Sequence, residues 1–462
     1  MEFFNSLTRK KEKFTPIKDG KVGVYICGPT VYNFMHIGNA RVYVVFDVLR
    51  RYLQYRGFET LFVQNFTDID DRIIARSNEE GVSAAEIAQK YINEFFIDAE
   101  GLEIGRVNYY PRVTEEMPEI IEIISLLISK GFAYEKSGTV YFRTSKSPQY
   151  GKLSNRNPEE QQAGSRIEIN PEKENSADFV LWKAAKSNEP GWDSPWGLGR
   201  PGWHIECSAM AKKYVGNTLD IHCGGEDLLF PHHENEIAQS EAANDAPLAN
   251  LWLHNGMLLV DNKKMSKSEG NFFLIREIAE KFSYSIIRFF ILSAHYRSPL
   301  NFSFELMESA KNGLDRIRNC RRNILENLKN TGESDSEISH LEEFEKEFFK
   351  HLDDDLNTAN AISTIFDLVK FINKNIDQGS IFLKKSLEIF DFIMNILGIN
   401  VDEMDGLETE EAEIEIERLI AERDAAKKDK NWEYADQIRN QLFKMGIIIK
   451  DTLEGTKWHW SN

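Results

Sequence analysis

The chain has 462 residues, 42% hydrophobic and 28% charged, and carries a formal net charge of −18 at pH 7. One ordinary core does not hold a chain of this length, so two to four domains are expected. Apolar runs such as Val42–Phe46 are too short to cross a bilayer. The acidic balance argues against a simple nucleic-acid coat protein, while still allowing a locally positive contact face.

The start, Met1–Asn5, lacks the charged-then-apolar layout of a signal peptide, and a cytoplasmic protein with no membrane partner is expected. Four dispersed cysteines, Cys27, Cys207, Cys223 and Cys320, do not make a disulfide framework. Metal-binding or core thiols fit them better.

The first clear element is Lys21–Cys27, where Val22, Val24 and Ile26 alternate as in a strand. A turn at Gly28-Pro29-Thr30 leads to a helical pattern from about Gly38 to Tyr55, with Ala40, Val44, Val48 and Leu49 on one face and Gly57 as its stop. Thr60–Gln64 reads as a second strand. Strand, helix and strand make a βαβ unit, hence a parallel sheet with ligands at its carboxyl ends.

Between about Pro111 and Pro201 the texture changes. A helix over Pro118–Lys130, a short strand near Val140–Arg143 and a polar stretch read as an insertion splitting this fold. The parallel-sheet pattern resumes at Leu219–His222 and is expected to run to about Ser268.

Beyond Ser303, Leu306, Ala310, Leu314, Ile317, Ile324 and Leu328 keep helical spacing and mark a bundle. Nine acids and no base lie between Val401 and Glu417, and nine bases against seven acids follow from Arg418 to Asn462. Glu411–Lys428 and Trp432–Met445 read as a helical pair, and Ile447–Trp460 as a strand-and-turn end.

Three constellations carry chemistry. His36-Ile37-Gly38-Asn39 lies where a strand hands over to a helix N-terminus, whose free N–H groups favour phosphate oxygens. Gly38 would let a nucleotide ring approach the backbone, and His36 can donate to a phosphoryl oxygen. A capped helix with a surface histidine is the plainer reading. Lys264-Met265-Ser266-Lys267-Ser268 is a Gly-flanked lysine loop suited to clamping a triphosphate; taken alone, such a segment is more often a solvated basic loop. No P-loop occurs elsewhere, so two separated phosphate devices suggest adenylation.

The third is a metal set. Cys27, Cys207, His232 and Glu236 offer two thiols, an imidazole and a carboxylate, a donor mixture that suits zinc. His232 and Glu236, four apart, share a helix face. His233 competes for the imidazole role and Cys223 for the thiolate role.

Tyr25-Ile26-Cys27-Gly28-Pro29-Thr30-Val31-Tyr32, Asn65-Phe66-Thr67-Asp68-Ile69-Asp70-Asp71, the run Gly199–Ser208 and the run Phe230–Ser240 then resemble, in order, the signatures of the cysteinyl-tRNA synthetases, a class I aminoacyl-tRNA synthetase family. The resemblance implies a Rossmann-like α/β parallel-sheet catalytic domain with an inserted subdomain, an α-helical bundle and a small C-terminal α+β anticodon module. The corresponding segments are 1–110 and 201–302 for the catalytic domain, 111–200 for the insertion, 303–400 for the bundle and 401–462 for the module.

It implies one Zn2+ held by Cys27, Cys207, His232 and Glu236, and Mg2+ arriving with ATP. Thr30, His36, Gly38, Asn39, Lys264 and Lys267 would contact ATP, and His36, Asn39, Lys264 and Lys267 would be the catalytic set. Thr67, Trp203 and His222 would line the amino-acid pocket, and Trp432, Asp436 and Asp451 would read the anticodon. The implied partners are ATP, L-cysteine and tRNA(Cys), with the enzyme a monomer.

Three positions depart from the family pattern. Asn39 stands where the class-wide signature has a second His, so His36 must carry the proton-donor role alone. Cys223 stands where glycine is common. Glu116 stands where a His is frequent, with no mechanism evident from sequence. Two rival functions remain: a ligase joining activated cysteine to a small amino sugar, which would not need the segment after Arg418, and a non-catalytic RNA-binding relative, which would have lost His36 or the lysines.

Overall fold

The structure is a computed structural model describing residues 1–156, 171–186, 189–265, 271–330, 338–402, 410–429, 431–444, 447–452 and 455–460. Its central sheet has four parallel strands in the order Ala249–Asn255, Leu219–Gly225, Lys21–Ile26, Glu59–Gln64. Lys21–Ile26 is the hub. From it the chain crosses to Glu59–Gln64 on one side and, after a long excursion, to Leu219–Gly225 on the other. That reversal is the switch point at whose carboxyl edge an open parallel sheet binds its ligand.

The helix after the first strand spans Ile37–Tyr55, is capped by His36, and is followed by Gly57 at φ 84°. Its apolar face, including Ala40, Val44, Val48 and Leu49, is fully buried. Apolar alternation in the strand and 3.6-residue spacing in the helix therefore placed this unit correctly.

The excursion holds the helices Asp71–Glu80, Ala84–Gly101 and Met117–Ser129 and an antiparallel sheet ordered Ala133–Lys136, Thr139–Phe142, Phe179–Ala184, Gly199–Pro201. Lys183 and Arg200 of this sheet both pair with Asp71, at the start of the first of those helices. Trp203–Tyr214 then leads back to the core.

One expectation needs correction. The parallel sheet does not continue to Ser268 but ends at Asn255. Leu258–Val260 instead pairs with Lys263–Lys264 antiparallel and with Leu300–Phe302 parallel, forming a separate small sheet. Asp261 and Asn262, at φ 48° and 62°, turn the chain back on itself there, as two-residue hairpins require.

Phe304–Asn330, Ser339–Asp353, Thr358–Lys374 and Ser380–Leu397 form the bundle and share the main core with the catalytic sheet. Glu410–Lys428 and Trp432–Lys444 pack with an antiparallel hairpin, Ile447–Thr452 and Gly455–Trp460. Ile416, Leu419, Ile420, Ile438, Leu442 and Ile447 give this last unit a core of its own.

Candidate active site

Cys27 follows the hub strand, and its N–H donates to the Cys223 carbonyl on the neighbouring strand at 3.2 Å. This fixes the thiol at the switch point. Cys207 sits in the helix Trp203–Tyr214, with Sγ 3.7 Å from Cys27 Sγ. Glu236 enters from the helix Glu234–Asn244 with Oε1 3.3 Å from Cys27 Sγ, and His232, one turn earlier, places Nε2 2.9 Å from the same oxygen. All four donors lie within 4.8 Å of one another and are buried.

The alternatives separate in space. His233 places Nε2 3.3 Å from Cys27 Sγ and Nδ1 2.7 Å from His254 Nε2. Cys27, His222, His233 and Glu236 form a second cluster of the same tightness, sharing two members with the first. Cys223 joins neither cluster among the described residues, and burial alone pushes its thiol up.

The electrostatics divide these groups sharply. Burial resists charge at Glu236, but His222 and His232 outweigh it and hold the carboxyl well below its usual range. Burial likewise opposes the imidazolium at His232, yet Glu236 and the bond with Cys207 raise it to about 10. At Cys207, bonds from Cys27 and His232 overcome burial and draw the thiol down to about 6. Cys27 goes the other way, raised by burial and by its bond to Cys207.

An outer ring orients these side chains. Glu236 Oε2 receives His222 Nε2 at 2.8 Å, and the His222 ring stacks on Trp252 at 4.5 Å. His204 Nδ1 lies 2.9 Å from His232 Nδ1; burial and the His232 charge hold it down at about 3. Such outer partners fix tautomer and ring direction in metal sites.

The residues expected to line the amino-acid pocket gather around this cluster. Trp203 lies with its ring 4.4 Å from His232. Thr67 donates to the buried Glu206 Oε2 at 2.7 Å. His222 Nδ1 is buried and unpaired among the described residues. Asn65 accepts the Gly28 N–H at 2.8 Å, and a Cβ on Gly28 would fall 1.6 Å from the Asn65 carbonyl, so only glycine fits.

Glu206, Asn65 and His254 were not singled out in the sequence. The long signatures around Asn65 and Glu206 were the only signal available for the first two. Glu116 now has a role: buried, it accepts from Lys213 Nζ at 2.6 Å and Tyr214 OH at 2.7 Å, tying the start of Met117–Ser129 to the end of the helix that carries Cys207.

The side expected to take the nucleotide is built around the His36 cap. His36 Nδ1 accepts the Asn39 N–H at 3.1 Å, which leaves the neutral ring's proton on Nε2. Thr30, His36 and Asn39 line one cleft together with Arg72, which donates to Thr30 Oγ1 at 2.8 Å. Gly38 touches the second motif: a Cβ there would stand 3.3 Å from Met265 Cε and 3.1 Å from the His36 ring.

Lys264 is exposed at the end of the small sheet, its carbonyl accepting from Asn271 Nδ2 at 3.1 Å. Ser266, Lys267 and Ser268 lie outside the described residues. Trp432 and Asp436 are exposed one turn apart on Trp432–Lys444, in the separately cored unit; Asp451 lies on Ile447–Thr452, and its side chain is outside the described set.

A four-stranded parallel core with a capped helix after its hub strand, and a lysine-bearing hairpin near the start of that helix, fits the catalytic domain of a class I aminoacyl-tRNA synthetase. Comparison agrees. Residues 13–312 match the class I (C) tRNA synthetase catalytic domain, 347–402 the DALR domain and 409–460 the cysteinyl-tRNA ligase anticodon binding domain. The chain is 51% identical over 466 residues to the cysteine–tRNA ligase of Clostridioides difficile, covering 99% of both, and 51% identical over 473 residues to that of Lachnospira eligens, again covering 99% of both.

Among solved structures, a methionyl-tRNA synthetase of Mycobacterium tuberculosis in complex with methionyl-adenylate superposes with TM-score 0.61 at 15% identity, over 82% of this chain and 91% of that one. The chain belongs to the cysteinyl-tRNA ligase family. No helix among the described residues is long and apolar enough to cross a membrane.

Proposed function

We propose that the chain activates L-cysteine with ATP to cysteinyl-adenylate and transfers the cysteinyl group to the 3′ end of tRNA(Cys). The observation that carries this reading is the cluster Cys27, Cys207, His232 and Glu236, buried at the switch point beside the His36 helix. The substrate carboxylate attacks the α-phosphate, pyrophosphate leaves, and a terminal ribose hydroxyl then takes the acyl group. No enzyme nucleophile is needed, so positioning and charge stabilisation dominate.

The chain's own residues divide the work. His36 Nε2 donates to phosphate oxygens as charge builds, supported by the helix N-terminus. Lys264 and Lys267 neutralise the triphosphate, which brings Mg2+ with it. Thr67, held by Glu206, and His222, held by Glu236, orient the amino acid. Trp432, Asp436 and Asp451 supply the anticodon contacts.

The donor chemistry fits one Zn2+, and the four residues would hold it; the ion supplies a soft Lewis acid that prefers a substrate sulfur to a hydroxyl oxygen. Forfeiting about 5 kcal/mol of that preference would reject serine several-thousandfold, at ~1.4 kcal/mol per tenfold. Cysteine-dependent pyrophosphate exchange followed by charging of tRNA(Cys) tests the whole reading. The amino-sugar ligase alternative is disfavoured by the match of residues 409–460 to an anticodon binding domain, and exchange without charging would revive it.

A further inference from the structure

One buried cation links the two nucleotide motifs, and nothing in the mechanism above uses it. Arg41 lies on the His36 helix two residues after Asn39 and is 1% exposed. Its Nη1 donates to the carbonyls of Gly256 at 2.7 Å and Met257 at 3.1 Å. Its Nη2 reaches those of His295 at 3.2 Å, Tyr296 at 3.1 Å and Ser298 at 2.6 Å. Burying a guanidinium against neutral carbonyls is a costly way to close a core that leucine could fill.

The location suggests what the cost supports. Gly256 and Met257 lead into Leu258–Val260, and His295–Ser298 lead into Leu300–Phe302, the two parallel strands of the small sheet. Lys263 and Lys264 hang from the first of these across the Asp261–Asn262 turn, where Asn301 Oδ1 accepts the Asn262 N–H at 2.7 Å. The far side of the lysine motif is held by the same helix start: the Ile37 N–H donates to Phe273 O at 3.1 Å and the Ile275 N–H to Met35 O at 2.9 Å.

We infer that Arg41 is a positioning residue for adenylation, fixing the distance between the His36–Asn39 helix end and the hairpin that presents Lys264, with Asn301 setting the hairpin's turn. The four N–H groups on Nη1 and Nη2 reach five carbonyls from two segments, whereas a lysine ammonium has three donors from a single point. The inference rests on the reading of Lys264 as a phosphate contact.

The test compares Arg41→Lys, Asn301→Ala and Lys264→Ala in the full chain, measuring zinc content, melting temperature and pyrophosphate exchange with ATP and cysteine varied separately. A displacement near 1 Å costs about 100-fold in rate, so Arg41→Lys should lower kcat by about 10- to 100-fold and raise the KM for ATP. Asn301→Ala should move the same parameters by a few-fold. In both variants the KM for cysteine and the zinc content should stay at wild type, a split that general loosening of the fold would not give.

Wild-type exchange in folded Arg41→Lys, or equal damage to the cysteine and ATP parameters, overturns the inference. Should Arg41→Lys not fold, Asn301→Ala decides, and unchanged ATP parameters there overturn it. Undiminished exchange in Lys264→Ala overturns the phosphate reading itself. Loss in Lys264→Ala with no loss in the other two overturns only the anchoring.

Discussion

His232 and His233 are adjacent in sequence and belong to different clusters that share Cys27 and Glu236. His232 meets Glu236 and is backed by His204, whereas His233 meets Cys27 and is backed by His254. The family pattern favours His232, but the structure brings both close enough to ligate. Zinc content decides between them. His232→Ala should purify with well under one zinc per chain, and His233→Ala should keep its zinc; the reverse result would move the site to the second cluster. With zinc in the first cluster, His222→Asn removes only the bond that orients Glu236 and should weaken zinc affinity by about 10- to 100-fold in a chelator competition.

Gly38 makes a different kind of prediction. An added Cβ would press on the His36 ring and on Met265 Cε, which belong to the two motifs proposed to hold the nucleotide. Gly38→Ala should therefore raise the KM for ATP by about 10-fold or more while leaving zinc content unchanged. Unaltered ATP kinetics would show that neither contact matters for the reaction.

At the scale of elements, Asp47 on the His36 helix is the junction between catalytic domain and bundle. It receives Arg50 at 2.6 Å, Arg51 at 2.8 Å and Arg288 at 2.7 Å, and Arg288 also donates to the carbonyls of Leu102 and of Leu397 at the end of the bundle. Burial pushes the Asp47 carboxyl up, but the three guanidiniums outweigh it and bring it from 3.8 to about 2. A folded value below the unfolded one stabilises above the unfolded value and is lost as pH falls.

The Asp47 contribution, on the order of 2 kcal/mol, should be complete above about pH 4 and fade towards pH 2. Asp47→Asn leaves a buried Arg288 short of its counter-charge, so it should cost about 3–5 kcal/mol at neutral pH and flatten that acid limb in denaturant titrations. A neutral-pH loss under 1 kcal/mol would show that the bundle does not depend on this junction.

What the sequence made legible follows from the same elements. Lys21–Ile26 and Ile37–Tyr55 announce themselves because one face is more apolar than the other. Ala249–Asn255 does not, since it is buried on both faces and ends in His254 and Asn255, so neither alternation nor a clean apolar run marks it. Lys10–Lys13 is an edge strand built wholly of charged residues. The proposed metal donors became specific only through the long signatures: His232 and Glu236 have a local i, i+4 spacing, but Cys27 and Cys207 lie far from them in the chain. Arg41 was invisible: its partners are backbone carbonyls more than 200 residues away.

Across the whole molecule the two cores separate two jobs. The main core joins sheet, insertion and bundle, whereas the core around Ile416, Ile438 and Leu442 belongs to the last unit alone. The acidic run between Val401 and Glu417 repels a polyanion, and the excess of bases from Arg418 onward makes the segment carrying Trp432 and Asp436 less hostile to one.

A chain ending at Asp402 therefore keeps every residue assigned to adenylation and every member of the main core. Its cysteine-dependent pyrophosphate exchange should stay within about 2-fold of wild type, because nothing removed reaches the transition state of that step. Its kcat/KM for charging tRNA(Cys) should fall by about 100-fold or more, about 2.7 kcal/mol of lost recognition. Parallel loss of both activities would mean that the last unit supports the catalytic fold, and undiminished charging would mean that the anticodon is not read there.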